Sequence, residues 1–232
     1  LRNLLDIAAE KYGKQKEQND DGWTAIFKYY AKGGLFSKLY ESLGRLTPER
    51  RKSILQSHPE LLFPQPWEDD VRSAALQFGV TEELIYAIMR QESAFDPKAR
   101  SVADAFGLMQ VLPEIAENLA STNKIRYEQM EDLYIPETNI SVGAAHIKEL
   151  LARYRGQFIL AVAAYNANDR AIRNWMSTRY RGDALEFIEE IPYEETRTYV
   201  RLVMRNMIFY SLLKSKNASI EFPQWVLKLD AT

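Results

Sequence analysis

The sequence predicts an all-α fold. Apolar residues recur at spacings of three and four along most of the 232 residues, and no segment shows the sustained alternation of a half-buried strand. Ten glycines and nine prolines are few for this length, so long stretches lack helix-breaking residues. With 46% hydrophobic and 27% charged residues, the composition is typical of a globular protein with a well-formed core.

Charge and composition exclude several classes of function. Thirty basic residues against 32 acidic ones leave a net charge of −2, which argues against nucleic-acid binding through bulk positive charge. The absence of cysteine excludes disulfides, thiolate metal ligands and cysteine nucleophiles. His58 and His146 are too few for a four-ligand zinc site, and neither lies near a nucleophile-elbow motif. We therefore expect carboxylates to carry any acid/base chemistry, with no metal, no cofactor and no nucleic acid partner.

Residues 1–62 are predicted to form a short N-terminal helical region. The polar stretch 14–22 and the pair Gly33-Gly34 separate short helical pieces. Three of the nine prolines fall within residues 59–66, and proline has no N–H for a helix, so we place the domain boundary there, with a second domain over 63–232. The chain begins at Leu1, and we expect it to be a processed or truncated product.

The second domain is predicted to consist of successive helices. Residues 158–165 are apolar on every side and contain three alanines, which predicts a central helix buried all round. Gly79 is predicted as a C-cap and Thr81 as the N-cap of the next helix. The predicted helices cover about 69–78, 81–93, 113–119, 139–154, 158–165, 169–176 and 193–213.

Glu92 is the strongest candidate for a catalytic group. Ile85, Ile88, Met89 and Glu92 share one face of the predicted helix, so the carboxyl continues an apolar stripe. A carboxyl that is partly stripped of water has a raised pKa, which makes a general acid near neutral pH. The alternative is a last-turn glutamate that extends into solvent.

Three further motifs carry polar groups next to apolar residues. Gly107-Leu108-Met109-Gln110 is a glycine turn before a proline-started helix, and Ala164-Tyr165-Asn166 ends the buried helix. Each also has a structural interpretation, in which the apolar residues are core, Gln110 is a surface cap and the tyrosine hydroxyl binds a backbone carbonyl. In the last long helix, Glu195 shares a face with Tyr199 and two apolar residues. A helix dipole favours acids in that first turn but does not require an apolar stripe.

These motifs, in this order, resemble those of the soluble lytic transglycosylases, which are lysozyme-like bacterial enzymes. The resemblance covers roughly residues 63–210 and rests on Gln91-Glu92-Ser93, Ser101 with Gly107-Leu108-Met109-Gln110, Ala164-Tyr165-Asn166-Ala167, and Ile191-Pro192 with Glu195-Thr196 and Tyr199-Val200. It implies a lysozyme-like α-helical catalytic domain over 63–232. Residues 1–62 would then be the tail of a larger helical superstructure or a local cap.

The resemblance also implies an activity and a location. The enzyme would cleave the β-1,4 bond between N-acetylmuramic acid and N-acetylglucosamine in peptidoglycan and leave 1,6-anhydro ends, without a cofactor. Its partner would be the peptidoglycan glycan strand, in the periplasm or cell envelope. Glu92 would be the single catalytic acid/base, and the substrate-binding residues would be Ser101, Gln110, Tyr165, Asn166, Glu195 and Tyr199. Phe95, Phe106 and Tyr165 would line a partly dry groove.

Two residues depart from the family pattern. Asp104 and Asn168 stand where the family usually has glycine. Asp and Asn are the residues other than glycine that best tolerate a positive φ, so we expect both turns to keep their backbone conformation. Asp104 also adds a charge near the predicted site.

Two other functions remain open at this point. A hydrolytic muramidase similar to goose-type lysozymes would use a second acid, Asp104 or Asp96, to orient water. An inactive peptidoglycan-binding envelope module would keep the groove and tolerate the loss of Glu92.

Overall fold

The computed structural model describes residues 2–14, 19–214 and 224–230, and this part of the chain is all-α, as predicted. Its only strand-like pairing among the described residues is two isolated bridges, which join Phe106 to Arg100 and to Val111. The α-helices are α1 (Arg2–Gly13), α2 (Asp20–Lys32), α3 (Phe36–Gly44), α4 (Pro48–Ser57), α5 (Glu68–Phe78), α6 (Glu82–Ser93), α7 (Pro113–Asn123), α8 (Pro136–Arg153), α9 (Phe158–Asn166), α10 (Asp169–Arg179), α11 (Ala184–Glu190) and α12 (Glu194–Lys214).

The chain divides into two compact units. The first comprises residues 1–66 together with 94–96, and the second comprises 67–93 with 97–232. Helices α1 to α4 of the first unit surround a small core that includes Trp23, Phe27 and Leu39. Part of the polar stretch that we predicted to separate its first helices, residues 15–18, lies outside the described residues.

The second unit is built around α9. Its residues 158–163 are all buried, which confirms the prediction of a central apolar helix. Helices α8 and α12 pack against α9, while α6 packs against α12 and α5 packs against α8. Gly79 ends α5 in the left-handed conformation with φ +66°, as its C-cap role predicts. The hydroxyl of Thr81 accepts a hydrogen bond from the N–H of Leu84 and so caps α6.

Several helices differ from their predicted extents: α7 ends at Asn123 and α10 at Arg179, four and three residues later than predicted. Helix α8 begins at Pro136, three residues earlier than predicted, because Ile135 is extended and proline occupies the first helical position. Helix α11 was not predicted, since a seven-residue segment is too short to show a clear period. Among the described residues, no helix combines the length and the apolar character needed to span a lipid bilayer.

Candidate active site

Glu92 lies in the last turn of α6, on the apolar stripe that the sequence predicted. Ile85, Ile88 and Met89 are buried, and Glu92 is partly buried. The helix ends at Ser93 because the next two residues, Ala94 and Phe95, have left-handed φ values of +49° and +64°. The helix therefore ends at the residue that the sequence predicted. The alternative of a glutamate that extends into solvent is contradicted by the burial.

The carboxyl of Glu92 is bound by Tyr199 of α12. The phenol donates a hydrogen bond of 2.5 Å to Oε1 of Glu92. Burial raises the pKa of Glu92 from 4.5 to about 7, although the bond from Tyr199 lowers the pKa and the negative charge of Glu195 raises it further. Burial also raises the pKa of Tyr199 well above its usual value, so the phenol stays protonated and remains a donor. Near pH 7, the carboxyl can therefore both give and take a proton.

Glu195 belongs to a second hydrogen-bonded group, at the start of α12. The amide of Asn166, the last residue of α9, donates to Oε1 of Glu195 at 3.2 Å. The buried hydroxyl of Thr196 donates to Oδ1 of Asn166 at 2.6 Å and fixes the amide orientation. Asn166 thus connects the end of α9 with an exposed carboxylate whose charge acts on Glu92. We did not predict a role for Thr196, since its hydroxyl lies in a first turn where threonine is common.

The glycine turn 107–110 is held in place by Asn139 of α8. The buried amide of Asn139 accepts a hydrogen bond from the N–H of Met109 and donates to the carbonyls of Phe106 and Leu133, each at 2.8 Å. Gly107 has φ +74°, and a Cβ there would collide with the carbonyl of Leu133 and the amide of Asn139. This role of Asn139 was not predicted from the sequence, where residue 139 is only the expected start of a helix.

The turn is joined to α6 and α9, two of the three helices that carry predicted site residues. The hydroxyl of Ser93, next to Glu92, donates to the carbonyl of Leu108 at 2.7 Å. The phenol of Tyr165 in α9 donates to the carbonyl of Met109 at 2.9 Å. The hydroxyl of Tyr165 thus binds a backbone carbonyl, as its structural interpretation predicts. The role of Tyr165 in substrate binding stays a prediction.

The side chains of Gln110 and Ser101 both form hydrogen bonds with backbone groups of nearby loops. The amide of Gln110 donates to the carbonyls of Ala99 at 3.2 Å and Gly107 at 2.9 Å. The hydroxyl of Ser101 accepts hydrogen bonds from the N–H groups of Ala103 and Ala105 at 3.2 and 3.0 Å. The structure brings Gln110 next to the segment that carries Ser101, and their binding roles stay predictions.

The prediction that Phe95 and Phe106 line the groove is wrong. Phe95 and Phe106 are fully buried, so neither can line an open groove. Phe95 belongs to the first unit, where its ring contacts that of Phe36 with the centroids 5.4 Å apart. The sequence pattern marked both residues as apolar but could not show which surface they cover.

The two departures from the family pattern behave differently. Asp104 adopts φ +58°, as predicted for a residue in a glycine position. Its exposed carboxylate forms an ion pair with Arg100 at 2.7 Å. Asn168 does not adopt a positive φ. It is extended, with φ −87°, and its side chain caps α10 by accepting from the N–H of Ala171. The second prediction of a left-handed turn is therefore wrong, because asparagine serves here as an N-cap.

His146 of α8 packs against Tyr165, with the ring centroids 5.1 Å apart. Its Nδ1 is buried and has no hydrogen-bond partner in the part of the chain that the structure describes. Burial lowers the pKa of His146 from 6.5 to about 4, and Arg153 lowers the pKa further while Glu149 opposes the shift. The imidazole is therefore neutral at pH 7.

We expect His146 to make folding stability depend on pH. Because its pKa is lower in the folded state, its contribution is complete above pH 6.5 and is lost as the pH falls towards 4. The shift corresponds to roughly 3 kcal/mol. His146→Leu should remove most of this loss, measured as the difference between unfolding free energies in urea at pH 7 and pH 4.5. An unchanged pH dependence in the variant would contradict the buried neutral state.

Within the described residues, no group of three or more His, Asp or Glu side chains is arranged to hold a metal ion.

The fold and the site together define an all-α protein with a buried, protonatable carboxyl at a helix end, supported by a glycine turn. Residues 69–188, just over half of the chain, match the family described as "Transglycosylase SLT domain". The chain belongs to this family, which confirms the predicted resemblance.

Named relatives support the same family. The soluble lytic murein transglycosylase of Salmonella typhimurium is 33% identical over 174 residues, which are 74% of this chain and 27% of that protein. The crystal structure of the 70 kDa soluble lytic transglycosylase SLT70 from Escherichia coli matches with a TM-score of 0.73 at 28% identity, covering 86% of this chain and 31% of that one. An inactive Glu-to-Gln mutant of the lytic transglycosylase Slt from Pseudomonas aeruginosa matches with a TM-score of 0.78 at 26% identity, covering 92% and 34%. This chain thus spans between a quarter and about a third of these relatives.

Proposed function

We propose that this chain is a peptidoglycan lytic transglycosylase that uses Glu92 as its single acid/base and leaves 1,6-anhydro-N-acetylmuramic acid ends. The observation that carries the proposal is the buried carboxyl with a pKa of about 7, bound by a phenol that stays protonated. A group with this pKa is suited to giving a proton and then accepting one at neutral pH. The names of the relatives supply the substrate class, the murein glycan strand.

In the first step, the protonated Glu92 donates to the glycosidic oxygen that leaves C1 of the muramic acid. The bond between C1 and that oxygen breaks, and positive charge develops at C1. The substrate's own N-acetyl group stabilises this charge, so no protein nucleophile is needed. An ordinary retaining glycosidase instead places a second carboxyl about 5 to 5.5 Å from the first.

In the second step, Glu92 acts as a base. Its carboxylate takes the proton of the 6-hydroxyl of the same sugar while that oxygen forms a bond to C1. Glu92 is thereby returned to its protonated form, and water does not enter the reaction. Tyr199 stabilises the carboxylate between the two steps through the bond of 2.5 Å.

Glu195 fits an electrostatic role better than that of a nucleophile. Its charge raises the pKa of Glu92, and its carboxylate is exposed and accepts a hydrogen bond from Asn166. We propose that this charge adds to the effect of burial, which is the main cause of the raised pKa of Glu92. We also propose that Ser101, Gln110, Tyr165 and Asn166 contact the sugars.

The mass of the products tests the proposed reaction. Defined muropeptides incubated with the chain should give fragments with an anhydro end, which are lighter by one water than fragments with a reducing end. Reducing ends would instead identify a muramidase that admits water. Binding to peptidoglycan without any cleavage would identify an inactive module.

We expect Tyr199→Phe to shift the pH profile. The phenol lowers the pKa of Glu92, so its loss should raise that pKa. Because the first step needs the protonated acid, the decline in kcat/KM that begins near pH 7 should move upward by about one pH unit. Tyr193→Phe is the control, since Tyr193 is exposed just before the same helix and should leave the profile in place. A profile that Tyr199→Phe does not move would argue against this contact.

We also propose where the chain acts and which part of it is catalytic. The murein glycan lies outside the cytoplasmic membrane, so the substrate places the activity in the periplasm or cell envelope. Every polar residue of the proposed site falls within 63–232, which we propose as the catalytic domain.

A further inference from the structure

Arg100 lies in a loop whose backbone is fixed at both neighbouring residues. The carbonyl of Ala99 accepts hydrogen bonds from the N–H of Gly107 at 2.8 Å and from the amide of Gln110 at 3.2 Å. The N–H of Ser101 donates to the carbonyl of Ala105 at 3.0 Å. Arg100 itself forms a bridge with Phe106. This arginine therefore directly precedes Ser101 and directly follows the residue that Gln110 contacts, and both Ser101 and Gln110 are proposed as substrate-binding.

The guanidinium of Arg100 is held from two sides. Its Nε and Nη2 donate to Oδ1 of Asp104 at 2.9 and 2.7 Å, and its Cζ lies 5.1 Å from the centre of the Phe106 ring. Asp104 thus takes two of the five N–H donors that a guanidinium carries. The Arg100 side chain nevertheless remains 55% exposed. An arginine fixed in this way loses little further freedom when it binds a ligand.

The proposed substrate presents anionic groups of the kind that a guanidinium binds. Each muramic acid carries a lactyl group that ends in a carboxylate, or in an attached peptide that has carboxylates of its own. Arginine recognises carboxylates through paired, charge-assisted hydrogen bonds. The contacts Ser93 to Leu108 and Gln110 to Ala99 connect this loop with the turn beside Glu92.

We propose that Arg100 is a specificity-determining residue that binds a carboxylate of the substrate, on the lactyl group or on the attached peptide. The inference rests on the proposed function and goes beyond it, because it assigns recognition of the anionic substituent to a residue other than the proposed acid/base, Glu92. Asp104 positions the guanidinium in this scheme.

The test compares substrates that differ in charge. We would measure kcat/KM for three glycan strands: one that carries peptides, one whose lactyl carboxylate is free, and one whose lactyl group is a neutral amide. For Arg100→Gln, the ratio of the charged to the neutral substrate should fall about five- to tenfold, and for Arg100→Lys about twofold. A fall confined to the peptide-bearing strand assigns the carboxylate to the peptide, and a fall with the free lactyl strand assigns it to the lactyl group.

Arg72 of α5 provides a matched control. It is similarly exposed, at 49%, and pairs with the acid four residues before it, Glu68. Arg72→Gln should leave every ratio within twofold of the unmodified chain. Equal ratios in Arg100→Gln and the unmodified chain would overturn the proposal.

A binding measurement separates this inference from the proposed function. In a Glu92→Gln variant, which should bind the glycan without cleaving it, calorimetry measures the affinity for each of the three strands. A weaker preference for charged strands when Arg100→Gln is added supports the inference even if the products prove to be hydrolytic. Unchanged binding in this double variant refutes the inference while leaving the anhydro product as evidence for the proposed function. Thermal unfolding of Arg100→Gln and Arg100→Lys checks that both variants are folded.

Discussion

Replacing Glu92 by glutamine is expected to lower turnover of purified peptidoglycan by about a thousandfold or more. General acid/base catalysis contributes roughly 10²- to 10⁴-fold, and here one carboxyl serves as both acid and base. Glutamine keeps the volume and the oxygen that accepts the hydrogen bond from Tyr199, so the fold and glycan binding should remain near normal. The measurement is release of soluble muropeptides over time, together with binding to insoluble peptidoglycan.

Glu83 offers a matched control on the same helix. It is partly buried and pairs with Lys214 at 3.1 Å, on the first turn of α6 at the opposite end of the helix from Glu92. Glu83→Gln should leave turnover within about twofold, because it removes a helix-end ion pair of small energetic value. Normal turnover in Glu92→Gln would eliminate the proposed mechanism, and equal losses in both variants would point to a general effect on α6.

The same substitution should stabilise the protein at alkaline pH. The folded-state pKa of Glu92 lies above its ordinary value, so the folded state binds the proton more tightly, and stability falls as the pH rises from 4.5 to about 7. The cost reaches about 3 kcal/mol above that range. Glu92→Gln should therefore raise the unfolding free energy by about this amount at pH 8 and change it little at pH 4. Urea unfolding at the two pH values measures the difference.

This stability cost has a functional meaning. A carboxyl that is costly to ionise in the folded protein is one that can deliver its proton at neutral pH. His146 acts in the opposite direction over a similar range, because its folded-state pKa lies below its ordinary value. The two groups partly cancel in the unmodified chain, so their separate contributions become visible only in the single variants.

The sequence predicted the local features of the site well. Helical periodicity placed Glu92 on an apolar stripe and Glu195 on one face with Tyr199, and both placements depend only on spacing within one helix. The bond between Tyr199 and Glu92 joins residues 107 positions apart, and spacing within a helix carries no information about such a pair. The same limit applies to Phe95, whose apolar character does not tell which unit it packs into.

Asn139 shows a different limit of sequence interpretation. It was predicted as the first residue of a helix, where asparagine is common. In the structure it lies inside α8, and its amide faces the glycine turn instead of solvent. The sequence did contain a signal for this role. Proline favours the first position of a helix, so Pro136 could have been identified as the helix start. Asn139 would then have been a polar residue inside the helix that no capping role explains.

Asn139→Ala is expected to destabilise the protein by roughly 3 to 5 kcal/mol. The substitution leaves two buried backbone groups without the partner that Asn139 supplies, the N–H of Met109 and the carbonyl of Leu133, and each unmet group costs about 1 to 3 kcal/mol. It also removes one of the two hydrogen bonds to the carbonyl of Phe106, which keeps the bond from the N–H of Val111. The measurement is urea unfolding at pH 6. Asn118→Ala is the control, because Asn118 is exposed and bonds only within α7, so its loss should cost less than about 0.5 kcal/mol.

Asn139→Asp distinguishes a specific hydrogen-bond role from simple packing. Aspartate has almost the same volume and can still accept from the N–H of Met109, but it cannot donate to the two carbonyls, and it would bury a charge facing them. It should therefore be at least as destabilising as alanine, and kcat/KM should fall by about 100-fold because the turn that receives Ser93 and Tyr165 is displaced. If aspartate proved nearly neutral, the amide would only fill space, and the connection from α8 through the turn to the helix of Glu92 would have to be abandoned.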